Sequence, residues 1–198
     1  MNVLLAVVGV VAAYMFGTMP SAIVVARSKG VDITSFGSGN PGASNVGRAL
    51  GMKWGALVFL LDAAKGAVPV AVSAFAFDNR PMAYVCGGAA ILGHVFPVTR
   101  GFHGGKGIAT GGGVLLPLHP PVMLGAVVFW LVAAKATKKA SVASIVVVPL
   151  VMVALAVKGT PAWEILSLVG LGLLIEIRHL SNIKRLIKGT EHAVQHGS

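Results

Sequence analysis

Long uncharged stretches dominate this chain. No Asp, Glu, Lys or Arg occurs between Met1 and Arg27, between Lys106 and Lys135, or from Ala140 to Val157. Roughly 20 apolar residues in a helix cross a ~30 Å hydrocarbon core. The stretches therefore predict membrane spans rather than core helices of a water-soluble domain. Seven spans are expected, over about 3–26, 53–76, 81–98, 104–117, 119–136, 140–158 and 161–178. The first has no basic leader and is longer than the apolar part of a secretion signal, which predicts a retained span.

The fourth and fifth spans share the 28 residues between Lys106 and Lys135, so each must be short, tilted or extended into its flanks. Pro117-Leu118-His119-Pro120-Pro121 divides them, because proline lacks a backbone donor and its ring clashes with the preceding turn. Charge then chooses the topology. With seven spans, 13 Lys and Arg residues fall on one face and only Arg80 and Lys158 on the other, with Lys65 inside a span. Merging the two short spans gives 7 against 8, which is no bias at all. The expected fold is an all-α membrane protein of seven transmembrane helices, some short or broken. Its N-terminus lies outside and its C-terminus in the cytoplasm. With no internal repeat or second hydrophobic unit, 1–198 reads as one polytopic domain.

Composition agrees. Mean hydropathy is +0.84, and charged residues make up 11% against about 25% in soluble domains. The net charge of +10 fits cytoplasmic loop bias or a site for anions, but not nucleic-acid binding, since spans separate the basic residues. Cys86 is the only cysteine, so no intrachain disulfide exists. No His, Cys, Asp and Glu set has metal-ligand spacing. Neither a metal nor a cofactor is expected.

Three polar segments fall on the basic face. The first is Gly37-Ser38-Gly39-Asn40-Pro41-Gly42-Ala43-Ser44-Asn45, followed by Arg48. Its glycines let backbone amides approach a ligand, its hydroxyls and amides donate, and Arg48 offers a bidentate fork for phosphate. The plainer reading is a polar turn capping a helix that starts near Ser44. The second runs from Gly93-His94-Val95-Phe96-Pro97 to Gly101-Phe102-His103-Gly104-Gly105-Lys106-Gly107-Ile108-Ala109-Thr110 and Gly111 to Gly113. It is not a Walker A loop, because Gly107 stands where a hydroxyl should follow the lysine. A glycine-rich approach to a helix still aims amides and the positive end of the dipole at an anion, and Lys106 adds a full charge. Close helix packing is the alternative for Gly111 to Gly113. The third is Arg178-His179-Leu180-Ser181-Asn182 through Glu191. Its basic residues suit anionic headgroups, whereas His179 and Asn182, three apart on one helix face, are site candidates.

Other features have structural readings beside functional ones. Asp62 and Lys65, deep in the second span, either neutralise one another or mark a functional site. Ser141 and Ser144 open the sixth span, where bonding back to the helix backbone is the default. His94 caps or braces the Phe96-Pro97 break. His119, His192 and His196 look incidental, and Gly197-Ser198 reads as an appended remnant.

Together the segments resemble the membrane-integral glycerol-3-phosphate acyltransferases of bacteria that use acyl phosphate. GSGNPGASNVGR, LLDAAKG, GHVFP with GGKGIAT, and RHLSNIKRLIKGTE occur in the family's order from Gly37 to Glu191. The resemblance implies transfer of an acyl group from acyl phosphate to the sn-1 hydroxyl of glycerol 3-phosphate, yielding lysophosphatidic acid and phosphate in phospholipid synthesis. It also implies seven spans in a bacterial inner membrane, among membrane lipids, with the site at the cytoplasmic face and no metal or nucleotide. Ser38, Arg48, Lys106 and His179 are the expected catalytic residues. Gly37, Gly39, Asn40, Ser44, Asn45, Gly104, Gly105, Gly107, Thr110, Ser144 and Asn182 join them in substrate binding. Ser44 stands where the family often has threonine, and His103 where a basic residue is common.

For such a reaction the three polar segments must meet in one anion pocket. Orientation of the hydroxyl beside the acyl carbon is worth ~7–11 kcal/mol. Either His179 or a substrate phosphate oxygen takes the proton, and no Ser-His-Asp set is visible to form an acyl-enzyme. A transporter for phosphate or an organophosphate is the alternative function, though it usually carries two related halves. A lipid-binding anchor is a third.

Overall fold

The computed structural model describes residues 2–194; His196 and Gly197-Ser198 lie outside the described residues. Every regular element is helical: ten α-helices, one 3₁₀ turn and one π segment among the described residues. The helices fall into two compact units, 1–119 and 120–198.

The first unit holds α1 (Val3–Gly17), α2 (Ser21–Arg27), α3 (Ala43–Leu50), α4 (Met52–Ala71), α5 (Arg80–Val95) and α6 (Ile108–Leu118). Asn2 caps α1 by accepting from the Leu5 amide. The expected continuous first span breaks between α1 and α2. Thr18 turns its hydroxyl back to the Met15 carbonyl, and Pro20 supplies no donor to extend the ladder. A hydropathy average cannot see that break, because both pieces are apolar.

Glycines set how closely these helices approach. A Cβ at Gly17 would lie 2.2 Å from the Ala90 carbonyl oxygen, and one at Gly93 would lie 2.1 Å from that of Tyr14. α1 and α5 thus meet backbone to backbone. The same device joins α4 to α6, where a Cβ on Gly66 would sit 2.1 Å from the Thr110 oxygen and one on Gly113 1.9 Å from that of Ala63. Small residues at such contacts provide the van der Waals packing that holds helices together in lipid. The packing reading of the glycine run is therefore correct for Gly113.

The second unit holds α7 (Pro120–Thr137), α8 (Ala140–Val157), α9 (Ala162–Arg178) and α10 (Leu180–Ile187). α8 packs on α7 and α9, and Trp130 on α7 donates its indole N–H to Ser144 on α8 at 2.9 Å. The proline-rich break falls at His119, which is non-helical.

Five segments are long and apolar enough to cross a membrane: Val3–Arg27, Met52–Ala76, Arg80–Arg100, Pro120–Thr137 and Ala140–Val157. α6 and α9, with 11 and 17 residues, are shorter. Exposed apolar side chains such as Leu60, Phe75, Leu124, Val132 and Leu166 ring the helices, as lipid-facing surfaces require.

Candidate active site

α3 starts at Ala43, with Gly42 in extended backbone before it, and the Gly37–Pro41 loop folds back onto it. Asn45 makes this possible. Its Oδ1 accepts from the Ser38 amide at 3.3 Å and from Arg48 Nη2 at 3.0 Å, while its Nδ2 donates to the Ile33 and Phe36 carbonyls. At 1% exposure, the Asn45 amide is saturated by protein. Expected among the substrate-binding residues, Asn45 instead positions Ser38 and Arg48, with all four bonds of its amide made to protein. Gly37, at φ +54°, has no room for a Cβ beside Asn45 Oδ1, 2.7 Å away.

The result is a half-exposed polar surface. Arg48 Nη2 also donates to Ser38 Oγ at 3.3 Å, which puts hydroxyl and guanidinium side by side. Ser38 Oγ lies 3.4 Å from the Asn40 amide. Ser38, Asn40 and Arg48 are partly exposed and Ser44 is exposed.

The second loop is built on the end of α5. Tyr14 on α1 pins the Phe96-Pro97 break, its hydroxyl donating to the Phe96 carbonyl at 2.7 Å and accepting from the Val98 amide at 3.1 Å. Gly104 and Gly105 then pass so close to His94 that a Cβ would meet its carbonyl oxygen at 2.1 Å or its ring Nε2 at 2.2 Å. Both are buried, so these glycines serve the loop's seat on α5. Lys106 follows, half-buried, and Gly107 precedes α6 with φ +88°. Thr110 does not join them. It is fully buried, and its carbonyl oxygen faces Gly66 of α4.

In the second unit, His179 lies between α9 and α10 and is buried. Its Nδ1–H donates to the Ile175 carbonyl at 2.8 Å, which fixes the orientation of the ring. Asn182 donates to Glu191 Oε1 at 2.7 Å, and Arg185 donates to Glu191 Oε2 at 2.8 Å. Burial alone would raise the Glu191 pKa, but these hydrogen bonds and the Arg185 charge outweigh it and hold the carboxyl below its usual value. Sequence reading assigned Glu191 no role; its signal was being the sole acid between Arg178 and Ser198. Ser144 donates to the Ala140 carbonyl at 2.9 Å and accepts from Trp130, following the default expected of a helix serine.

Two further residues depart from the sequence reading. His119 is 2% exposed, with Nε2 2.8 Å from the Tyr84 hydroxyl, so it is part of the packing of the first unit and not incidental. Asp62 stands 3.9 Å from His94 Nδ1, so a carboxylate does lie near a histidine of the glycine loop.

Helices of this length and apolarity, carrying polar loops of amides, hydroxyls and basic side chains, define a multi-pass membrane protein equipped to bind anions. Comparison with known proteins narrows the class. The chain belongs to the glycerol-3-phosphate acyltransferase family, whose model matches residues 7–189, and it is an acyltransferase. The glycerol-3-phosphate acyltransferase of Aquifex aeolicus (strain VF5) is 42% identical over 185 residues, covering 92% of this chain and 96% of that one. That of Geobacter sulfurreducens is 39% identical over 183 residues, covering 91% and 93%. A crystal structure of PlsY (YgiH), an integral membrane glycerol 3-phosphate acyltransferase in its glycerol 3-phosphate form, superposes with TM-score 0.89. It shares 41% identity over 96% of both chains. The lysophosphatidic acid form gives TM-score 0.86 at 42% identity.

Proposed function

We propose that this enzyme transfers the acyl group of acyl phosphate to the sn-1 hydroxyl of glycerol 3-phosphate at the cytoplasmic face of a bacterial inner membrane. The family and the PlsY structures in glycerol 3-phosphate and lysophosphatidic acid forms support the acceptor and the product. The donor is inferred from the motifs. The observation that carries the site is the Asn45-braced pairing of Ser38 with Arg48, a preformed, partly exposed anion cradle. The family match runs unbroken across His119, which supports one functional domain over the whole chain. Seven spans, with the N-terminus outside, follow from the 13-to-2 charge bias, α6 and α9 being the short crossings.

In this reading Ser38, Asn40, Ser44 and the loop amides bind one phosphate. Arg48 and Lys106 of the first unit neutralise phosphate charge, and His179 and Asn182 of the second unit offer polar groups for glycerol 3-phosphate. Ser144, whose proton is committed to Ala140, contributes a lone pair. The glycerol hydroxyl oxygen attacks the acyl carbon, the bond from that carbon to the phosphate oxygen breaks, and phosphate leaves. A substrate phosphate oxygen accepts the hydroxyl hydrogen bond and takes the proton as the oxygen attacks, while His179 helps to hold glycerol 3-phosphate. Two observations favour that route. His179 is held at Nδ1 by the Ile175 carbonyl, the position a carboxylate takes in a triad. Acyl phosphate also brings its own good leaving group. Lys106 and the amides at the start of α6 stabilise charge growing on the carbonyl and on the departing phosphate.

Lys106→Ala tests this. Turnover of the purified, folded variant in detergent is expected to fall by about 10²–10³-fold or more with acyl phosphate. Wild type should form lysophosphatidic acid from acyl phosphate and none from acyl-CoA or acyl carrier protein. Unchanged turnover in Lys106→Ala defeats the site assignment, and equal use of acyl-CoA defeats the donor.

A further inference from the structure

A charged pair buried in α4 stands behind the glycine loop. Lys65 Nζ meets Asp62 Oδ1 at 2.5 Å, and each side chain is 3% exposed. The same carboxylate oxygen lies 3.9 Å from His94 Nδ1. From there the path reaches the loop in two ways. The His94 carbonyl accepts the Gly105 amide at 3.1 Å, and the His94 ring covers the α-carbon of Gly105, leaving no space for a Cβ. Lys106 is the next residue. Lys65, Asp62, His94, Arg100 and Gly105, with Pro41 of the Ser38 loop, also line one cavity of about 10 Å³, room for a single water.

We infer that Asp62 and Lys65 are positioning residues: through His94 they fix the seat of Gly104-Gly105 and thereby the place from which Lys106 reaches substrate. The inference rests on the proposed role of Lys106. A pair that only neutralised itself would need neither the histidine nor the loop glycines. Two buried ions held for structure alone are generally replaceable by an apolar pair at little cost, because desolvation offsets their attraction. Here the carboxylate faces the ring that bears on the catalytic loop, and the ring contacts the residue preceding the lysine. Misplacing a reacting group by about 1 Å costs up to about 10²-fold in rate. That is the size of effect this arrangement can control.

The test separates positioning from folding. Asp62→Asn alone leaves an unpaired buried ammonium, so the informative variant is the double change Asp62→Asn with Lys65→Met. It removes both charges and keeps the volume. In detergent it should remain monodisperse with a melting temperature near wild type, while kcat falls about 10- to 100-fold with little change in KM for glycerol 3-phosphate. Wild-type kcat per folded molecule overturns the inference. His94→Gln reads the same device from its other end without disturbing the pair. It keeps the backbone carbonyl and removes the ring, and a kcat loss of the same order is expected. Unchanged kcat in His94→Gln also overturns the inference. Lys106→Ala assayed in parallel distinguishes the two failures: if it is inactive while His94→Gln is normal, only the positioning role is lost. If it stays active, the site assignment itself fails.

Discussion

Several polar residues in the functional motifs serve the protein rather than a ligand. Asn45 spends its whole amide on Ile33, Phe36, Ser38 and Arg48. Glu191 does the same work in the third motif, receiving Asn182 and Arg185. Its pKa is depressed in the folded protein from the usual 4.5, so the sign is that of a stabilising carboxylate. Its contribution is complete above pH 4.5 and is lost as pH falls through the lower folded value. Glu191→Gln should therefore melt below wild type at neutral pH, and the gap should close on acidification below pH 4.5. A gap independent of pH would show that the Glu191 charge contributes nothing. The motifs were legible as strings, and they carried the family. The division into ligand contacts and braces was not legible, because a serine or asparagine looks the same in sequence whether its partners are carbonyls or a phosphate.

Between elements, glycine decides the geometry. Gly66 and Gly113 each face a carbonyl oxygen of the opposing helix, 2.1 and 1.9 Å from where a Cβ would stand. Gly66→Ala or Gly113→Ala must push α4 from α6, and such overpacking typically costs 1–3 kcal/mol or more. Both variants should lower the melting temperature clearly. Gly125→Ala, on α7 with open space around it, should leave the melting temperature equal or higher, since alanine favours helix by up to ~1 kcal/mol over glycine. Equal effects at the three sites would refute close packing as the reason for the first two. The pattern of apolar runs located α4, α5, α7 and α8 to within a few residues, and the polar segment with its helix starting near Ser44 matches α3 at Ala43. The break at Thr18–Pro20 escaped the pattern. It depends on one missing donor and one side-chain hydroxyl, not on average hydropathy.

At the level of the molecule, the charge bias makes a claim about sidedness. Lys29 and Lys53 flank Trp54, their Nζ atoms 4.3 and 5.8 Å from the ring centroid, as expected where a headgroup layer meets a helix end. Single cysteines placed at Ser28, Lys138 or Lys188 in a Cys86→Ala background should react with an impermeant thiol reagent only from the cytoplasmic side. A cysteine at Lys158 should react only from outside. Labelling of Lys138 and Lys158 from the same side would reject the seven-span topology.

The sequence by itself determined that the chain lives in a membrane, roughly where its helices lie and to which family it belongs. Transfer free energy and charge placement accumulate residue by residue along the chain, so a linear reading captures them. Only the tertiary structure decided that Asn45 and Thr110 are interior, that Tyr14 clamps the Phe96-Pro97 break, and that Asp62, 32 residues from His94, stands beside it. Those facts depend on close approach between distant segments, where a missing methyl group or a single carbonyl settles which side chain touches the loop.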